Sequence, residues 1–519
     1  MDASALIACT AACLDSGAWS VEISDSIAPA SLAAALVTTA SGPVQGTIAS
    51  DLAIFRDIPY AAPPTGSRRF GPPVPPAPWS SPRPATAFGA ACPQNAPDGQ
   101  PPPSGTATQS EDCLTINVWA HTAGGPRPVI VWIHGGGYVA GTAASVEYDG
   151  AALAHTGDAV VVTLDYRLGL LGFLTLPQLA AGDGGTGNWG LRDQIAALRW
   201  VRTNIAAFGG DPARVMIAGE SAGGASICTL LAAPAAQGLF SAAAMQSGTC
   251  RLVLATDRPT GGFPAAFGVG LVTAVDLGCT AGDIAACLRA LSPSALLATQ
   301  HKLAASLDLG VPIVPTLPAV DGVVLDQRPM PAIRAGRGNV AVVAGANRDD
   351  TSTFIGFAEA PGAFAAYLAA IGQSSHAAAL LAMYPPAQLG ERGAEIAYST
   401  DVAFACPALA LASVRPAQSR LYELERPIAS GPDVGLGAVH GLDFLYLFGT
   451  FAAWGIDPAP ELGLSSVIQH LWSAIGRGES PAVWPTAPLI LQLDTASSLG
   501  ATWRGGRCPA LTAMGIVRE

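Results

Sequence analysis

A serine flanked by glycines stands in the segment AGESAGG, residues 218–224. The segment follows the apolar run VMIAG and precedes ASICTLLA, so the pattern predicts a strand, a tight turn and a helix. Gly219 and Gly223 permit such a turn, which would present the hydroxyl of Ser221 at a helix N-terminus. The context is typical of a nucleophilic serine, although a Gly- and Ala-rich chain can contain this pentapeptide by chance.

The segment HGGGY (134–138) directly follows an apolar, strand-like run. Consecutive glycines cost backbone entropy, which disfavours a plain flexible loop. Their N–H groups are unobstructed and could stabilise the oxyanion that forms when a serine attacks a carbonyl carbon. We predict that Gly136 and Gly137 donate two of these hydrogen bonds and that Ala222 donates the third. His134 is assigned a structural role, because it belongs to the loop that presents the glycines.

A nucleophilic serine needs a histidine as base, and in this kind of site the chain order is Ser, acid, His. Three histidines follow the adjacent aspartates at 349 and 350, namely His376, His440 and His470. His376 and His470 lie in segments with a helical pattern, where a packing or surface role is expected. His440 lies in a glycine-rich loop after a strand-like run, and such a loop can deliver a base to the edge of a parallel sheet. We predict His440 as the base.

The acid is expected at the end of a strand that precedes His440. The segment NRDDTSTF (347–354) fits, because it follows the apolar run VAVVAGA. The residues alone leave open which of its two aspartates is the acid. Other late carboxylates fit less well. Asp321 precedes a glycine turn, Asp401 opens a predicted helix, and Asp443 and Glu461 follow the histidine.

The elements that must position these residues follow an alternating pattern. Strand-like runs and a helix with apolar residues at 195, 198, 201 and 205 alternate between residues 128 and 250. Strand, helix, strand at this spacing predicts right-handed crossovers and a parallel sheet. We predict an α/β fold with a large, mostly parallel central sheet and helices on both faces. Without repeats or linkers, residues 36–519 are predicted to form a single domain after a leader or extension of residues 1–35.

Composition excludes several classes of partner. Of the 519 residues half are apolar, 12% are charged and the net charge is −12, so a large core is expected. Because no basic cluster occurs, nucleic acid and anionic membrane surfaces are poor partners. No apolar run reaches the roughly 18–20 residues of a spanning helix. Residues 3–14 have the length of a signal-peptide core, but Asp2 stands where a basic residue is expected.

Several long motifs occur in a single order: FRDIPYAAPPTGSRRF, SEDCLTINVW, HGGGY, DYRLGLLGFL, GNWGLRDQIAALRWVRTNIAAFGGDP, GESAGG and AVHGLDFLYLFG. On these motifs the chain resembles the type-B carboxylesterase family, the cholinesterase-like branch of the α/β-hydrolase fold, from about residue 41 to 508. The resemblance implies a serine hydrolase that cleaves small carboxylic esters through an acyl-enzyme, without a cofactor or a metal ion.

The resemblance also aligns NRDDTSTF with the family's N-x-D-E-G-x-x-F segment. The alignment assigns the catalytic acid to Asp350 and a structural role to Asp349, which is expected to brace the loop. The chain departs from the pattern twice, with Asp350 in place of glutamate and Thr351 in place of glycine. An aspartate is shorter by one methylene, a little over ~1 Å of reach, so catalytic efficiency is in question.

Two further groups of residues are expected around the triad. The first group would support the side chains of the triad: Ser247, Glu220, Asp349 and Asp443. For Ser247 and Asp443, ordinary packing or solvation is the alternative. The second would line the substrate pocket: Tyr138, Phe354 and Phe444. The sequence favours no particular acyl group, alcohol or oligomeric state.

The chain has 10 cysteines, for which the residues alone leave bridges and free thiols equally open. The resemblance implies the bridges Cys92–Cys113 and Cys279–Cys287 and, as in some members, Cys406–Cys508. Three bridges favour a secreted or periplasmic protein, whereas the leader is a poor signal peptide. The other four cysteines have no obvious counterpart in the family: Cys9, Cys13, Cys228 and Cys250. Of these, Cys228 is expected to be buried in the helix after Ser221.

Other activities fit the sequence less well. A cholinesterase is disfavoured because residues 93–112 contain no aromatic side chain that could hold a quaternary ammonium group. A lipase would need a large apolar lid, whereas the same loop is polar and rich in proline. A lipase and a polyester, xenobiotic or toxin esterase stay as alternatives. A non-catalytic binding or adhesion protein is the alternative of another class, disfavoured because the chain keeps a full set of triad residues.

Overall fold

The computed structural model describes residues 35–95, 108–257, 265–306, 317–356, 359–501 and 503–517, and for residues 301–306 the backbone only. Residues 1–34 of the predicted leader, with Cys9 and Cys13, lie outside the described residues, as does much of the loop 93–112. The division of the chain at residue 35 stays a prediction.

A sheet of 11 strands is the centre of the fold. In chain order its strands are β1 Thr47–Ala49, β2 Leu52–Pro59, β3 Thr115–His121, β4 Arg127–Ile133, β5 Val160–Leu164, β6 Gly210–Glu220, β7 Ala242–Gln246, β8 Ala341–Asn347, β9 Ser419–Leu424, β10 Ile490–Leu493 and β11 Ser498–Gly500. Across the sheet they lie in the order β11-β10-β9-β8-β7-β6-β4-β5-β3-β2-β1. The strands from β4 to β10 run parallel, and β1, β2, β3 and β11 are antiparallel additions. The predicted large, mostly parallel sheet is confirmed.

The central strands are buried on both faces. In β4 the side chains of Val129, Val131 and Ile133 belong to one hydrophobic core, and those of Ile130 and Trp132 belong to a second core. This alternation follows from the two-residue period of a strand. Helices cover both faces, so the strand sequence is a continuous apolar run rather than an alternating one.

The helices are α1 Ala151–Gly157, α2 Gly169–Phe173, α3 Trp189–Asn204, α4 Ala222–Ala232, α5 Ala266–Asp276, α6 Ile284–Ala290, α7 Pro293–Ser306, α8 Pro329–Arg334, α9 Ala363–Ala370, α10 Ala377–Met383, α11 Pro386–Leu389, α12 Glu391–Thr400, α13 Cys406–Val414, α14 Leu442–Phe448, α15 Leu462–Gly476 and α16 Arg507–Ala513. Helix α4 contributes Ile227 to the first core, and α15 contributes Trp472 to the second. Two small sheets, one formed by Leu36–Thr39, Gly42–Gln45 and Arg83–Pro84, the other by Leu254–Ala255 and Ala319–Val320, lie outside the main sheet.

A π-helical turn, Asp401–Ala405, joins α12 and α13 into one continuous helix, Glu391–Val414. Within the described ranges this is the one helix whose length and composition would allow it to cross a membrane. However, 56% of its most apolar window is buried inside the protein, and α13 packs against β8 and β9. Such burial is that of a helix packed into a folded core.

All eight cysteines in the described part of the chain are paired. The expected bridges Cys92–Cys113, Cys279–Cys287 and Cys406–Cys508 are confirmed. The fourth bridge, Cys228–Cys250, was not expected, because these two cysteines have no obvious match in the family pattern. Cys228 is buried in α4, as expected, but only the adjacency of β6 and β7 brings the loop that carries Cys250 beside it.

Candidate active site

Ser221 lies on a strained turn between β6 and α4, with φ 57° and ψ −121°. A non-glycine residue in such a conformation costs free energy and persists only where the surroundings enforce it. A Cβ atom at Gly223 would lie 2.0 Å from the carbonyl oxygen of Ile133. A Cβ atom at Gly219 would lie 2.7 Å from the backbone carbon of Gly223. The two glycines are therefore required by close backbone contacts and not by their own φ angles.

The glycine loop after β4 lies directly against this turn. A Cβ atom at Gly135 would lie 3.1 Å from the Cβ of Ser221. Gly136 and Gly137 adopt positive φ angles of 99° and 63°, which glycine tolerates readily. Among the described residues, the N–H groups of Gly136, Gly137 and Ala222 have no hydrogen-bond partner. All three donors are thus available to a ligand beside Ser221.

The side chains of His440 and Asp350 are in direct contact. Nδ1 of His440 donates to Oδ1 of Asp350 at 2.6 Å, so the shorter aspartate does reach the imidazole. The other carboxylate oxygen, Oδ2, accepts from the hydroxyl of Ser247 at 2.7 Å and from the N–H of Asn347 at 3.0 Å. Nε2 of His440 lies 3.1 Å from Oε1 of Glu220.

Two loops are joined so that this contact forms. The N–H of Asp349 donates to the carbonyl oxygen of Ala438 at 3.0 Å, and the N–H of Ala438 donates to Oδ2 of Asp349 at 2.9 Å. The side-chain amide of Asn347 donates to the carbonyl oxygen of Val439 at 2.7 Å. Asp349 therefore contacts the loop that carries His440, whereas Asp350 contacts the imidazole itself.

Arg504, which the sequence did not indicate, also holds the turn that carries Asp350. Its Nη2 donates to the carbonyl oxygens of Asn347, at 3.3 Å, and of Arg348. Its Nε lies 2.6 Å from Oε1 of Glu423 and its Nη1 lies 3.2 Å from Oδ1 of Asp401. A buried cation is stable here because two carboxylates neutralise it.

Two aromatic rings flank the imidazole. The ring of Phe354, which was expected near the substrate, meets His440 edge-on at 5.0 Å between centroids. Phe404 stacks on His440 at 4.9 Å and was not predicted, because the π-helical turn that carries it cannot be distinguished from α-helix in the sequence. The other two expected pocket residues are core residues instead: Tyr138 is buried against Phe173, and Phe444 is buried among Trp132 and Tyr148.

Buried carboxyl groups surround His440. Burial raises the pKa of Glu220 to about 8, although the charge of His440 opposes the shift. Burial also raises the pKa of Asp443, which accepts a hydrogen bond from the hydroxyl of Tyr422 at 2.5 Å. Burial lowers the pKa of His440, but the charges of Glu220 and Asp350 outweigh it and raise the pKa to about 9.

His134 shows the opposite behaviour. Burial lowers its pKa to about 4. The nearest carboxyl group, that of Asp165 at 3.8 Å from Nε2, is itself buried, and burial raises its pKa to about 7. The ring of His134 stacks on Tyr166 at 4.5 Å, and its Nδ1 contacts the carbonyl oxygen of Gly135 at 2.9 Å. A neutral, fully enclosed imidazole fits the structural role expected from the sequence. Over the described ranges, His, Cys, Asp and Glu form no group of three or more that could hold a metal ion.

The chain is similar in sequence to known esterases. The sequence profile of the Carboxylesterase family matches residues 33–488. Carboxylesterase 1D of Mus musculus is 32% identical over 505 residues, which cover 86% of each chain. A para-nitrobenzyl esterase of Bacillus subtilis is 49% identical over 217 residues, 42% of this chain and 44% of that protein.

Solved structures of esterases share the fold. A PNB esterase superposes with a TM-score of 0.75 at 32% identity, covering 90% of this chain and 97% of the other. A thermophilic PNB esterase gives a TM-score of 0.78 at 30% identity, covering 92% and 99%.

The close contact at Gly223 can be tested by adding a single methyl group. Gly223→Ala would place its Cβ 2.0 Å from a carbonyl oxygen, so we expect destabilisation of about 3 kcal/mol or failure to fold. Gly463→Ala in α15 is the matched control, because nothing lies within 4 Å of its added Cβ. Thermal unfolding of the two variants measures the difference, and equal melting temperatures would show that the turn can open to admit a side chain.

The two buried histidines should titrate far apart. NMR of the imidazole Cε1–H groups, assigned with His440→Gln, is expected to give a pKa of about 9 for His440 and about 4 for His134. Glu220→Gln removes a neighbouring negative charge and should lower the pKa of His440 while leaving that of His134 unchanged. Titration of His440 at its ordinary value near 6.5 would contradict the role given to the surrounding carboxylates.

Proposed function

Because the chain belongs to the carboxylesterase family and is a carboxylic ester hydrolase, we propose that it works by acyl transfer through Ser221, His440 and Asp350. The proposal is carried by the 2.6 Å hydrogen bond between His440 and Asp350, on loops that meet beside the strained turn of Ser221. A serine on such a turn, a base and an orienting acid are what nucleophilic attack on an ester requires.

In the acylation step, Oγ of Ser221 forms a bond to the ester carbonyl carbon while Nε2 of His440 accepts the hydroxyl proton. Asp350 holds the imidazole through Nδ1 and stabilises its charged form. In the resting structure Nε2 lies 3.1 Å from Glu220, so the imidazole must exchange that contact for the serine hydroxyl. Because only the neutral imidazole can accept a proton, a pKa of about 9 favours higher activity at alkaline pH.

The oxyanion is stabilised by the N–H groups of Gly136, Gly137 and Ala222. Their lack of partners in the described residues supports this role, since a donor already engaged could not respond to the developing charge. Each such donor contributes roughly 10²–10³ in rate. Collapse of the intermediate breaks the bond to the alcohol, which takes the proton from His440. Water then attacks the acyl-enzyme by the same route and releases the carboxylic acid.

Small esters with an apolar or aromatic group are the proposed substrates. The rings of Phe354 and Phe404 beside the imidazole support this choice, because they offer apolar surface next to the reacting atoms. One relative is named for the para-nitrobenzyl group, which is of this kind.

Substitution of the nucleophile tests the proposal directly. Ser221→Ala should lower kcat for p-nitrophenyl acetate by at least about 10⁴-fold and abolish labelling by a fluorophosphonate probe. Ser375→Ala, at an exposed serine, is the control and should keep both properties of the wild type. If Ser221→Ala were labelled and active like the wild type, the assignment of the nucleophile would be wrong.

The adjacent aspartates give a second test with a built-in control. Asp350→Asn should lower kcat by about 10⁴-fold, because an amide cannot hold the imidazole in the required tautomer or stabilise its charge. Asp349→Asn replaces the charged acceptor of the Ala438 N–H by a neutral amide and loses the ion pair with Arg348, so it should mainly lower the melting temperature. A larger loss of kcat in Asp349→Asn than in Asp350→Asn would reverse the two assignments.

A further inference from the structure

The disulfide Cys228–Cys250 connects two parts of the site that the proposed mechanism uses. Cys228 lies in α4, the helix that begins directly after Ser221. Cys250 lies in the segment 246–250, which begins at the last residue of β7 and is called the connecting segment below. The two Cα atoms are 5.3 Å apart, and both residues are buried.

The connecting segment runs along one face of α4. At its start, the N–H of Ser221 donates to the carbonyl oxygen of Gln246 at 3.0 Å. Next, a Cβ atom at Gly224 would lie 3.0 Å from the Cα of Gly248, so the two backbones are in close contact. Cys228 follows Gly224 by four residues and therefore lies on the same face of the helix, where it bonds to Cys250.

The same segment contacts the catalytic acid. Ser247 donates its hydroxyl to Oδ2 of Asp350 at 2.7 Å and its N–H to the carbonyl oxygen of Gly345 in β8 at 3.0 Å. Its φ angle is 41°, a conformation that a serine adopts only when the surroundings hold it there. The end of the segment at Cys250 therefore has to be fixed if the hydrogen bond from Ser247 to Asp350 is to persist.

Few backbone interactions supply that restraint. In the part of the chain that the structure describes, the backbone N–H and carbonyl groups of Gly248, Thr249 and Cys250 make no hydrogen bond. The side chain of Thr249 only accepts from the nearby N–H of Arg251, at 3.3 Å. The covalent bond between Cys250 and Cys228 is thus the strong attachment of the segment to α4.

We propose that the Cys228–Cys250 disulfide is a positioning element for catalysis: it holds Ser247 in its strained conformation and so fixes Asp350 relative to the turn of Ser221. The inference rests on the proposed function of Ser221, His440 and Asp350. It assigns the bridge a role in the rate of the reaction, beyond its contribution to the stability of the fold.

A double-mutant cycle tests this role. Ser247→Ala should lower kcat about tenfold in the wild type, because it removes a hydrogen bond to a charged carboxylate. The bridge-free variant Cys228→Ala/Cys250→Ala should also lose about tenfold in kcat with little change in KM. Adding Ser247→Ala to the bridge-free variant should cost less than threefold more, since the hydrogen bond would already be lost.

The pH profile gives a readout that loss of stability alone would not move. Without the hydrogen bond from Ser247, the negative charge of Asp350 is no longer partly neutralised on that side and stabilises protonated His440 more strongly. The pH at which kcat/KM is half-maximal on the acid side should therefore rise, to the same extent in Ser247→Ala and in the bridge-free variant.

The bridge Cys279–Cys287 serves as the matched control. Cys279→Ala/Cys287→Ala should leave the acid limb of the pH profile unmoved, and its effect on kcat should multiply with that of Ser247→Ala. If the bridge-free variant does not fold, Cys228→Ala/Cys250→Val, which refills the space of the sulfur atoms, takes its place in the cycle. Independent, multiplicative effects of bridge and serine would overturn the proposal.

Failure of the inference and failure of the proposed function can be told apart. Labelling of the wild type by a fluorophosphonate probe, with the modified residue located by mass spectrometry, reports on Ser221 alone. Labelling at Ser221 together with multiplicative effects in the cycle would overturn only the role of the bridge. Labelling elsewhere would overturn the proposed function and this inference with it.

Discussion

The passage of the backbone from β6 into α4 is the constraint on which the rest of the site depends. Ser221 takes a conformation that serine avoids, and it keeps it because neighbouring backbones leave no alternative. The carbonyl oxygen of Ile133 occupies the place of a side chain at Gly223. The loop after β4 and the segment after β7 approach the turn equally closely, at Gly135 and Gly224. The glycines of the site are thus consequences of dense packing around one serine.

The electrostatics of the site follow from the same dense packing. Little water reaches the carboxyl groups of Glu220, Asp350 and Asp443, so each of them depends on a neighbour for its stability. Asp350 receives three hydrogen bonds, which keep its carboxylate close to the imidazole. Burial raises the pKa values of Glu220 and Asp443, and the positive charge of His440 partly offsets both shifts. The imidazole is therefore a stronger base than an ordinary histidine, and two of the carboxyl groups beside it bind their protons more tightly than usual.

The sequence predicted the parts of the site that depend on local backbone chemistry. Glycines around Ser221, the glycine run before Tyr138 and the strand ends before Asp350 have short-range patterns, so the sheet and the three main side chains could be placed. The bridge Cys228–Cys250 could not, because its partners meet only through the pairing of β6 with β7. Phe444 was misplaced for a similar reason: a helix following the histidine loop could face either the pocket or the core, and tertiary packing turned it inward.

The π-helical turn Asp401–Ala405 has a consequence for how such a site changes over evolutionary time. A π-helical turn holds one more residue than an α-helical turn and occurs mostly as a single turn inside a longer α-helix. Deleting one residue from Asp401–Ala405 would leave an α-helical turn in its place, and Phe404 would lose the bulged position from which it stacks on the imidazole. The helix can thus gain or lose an aromatic neighbour of the base in one genetic step, while the sheet and the loops of the triad remain as they are.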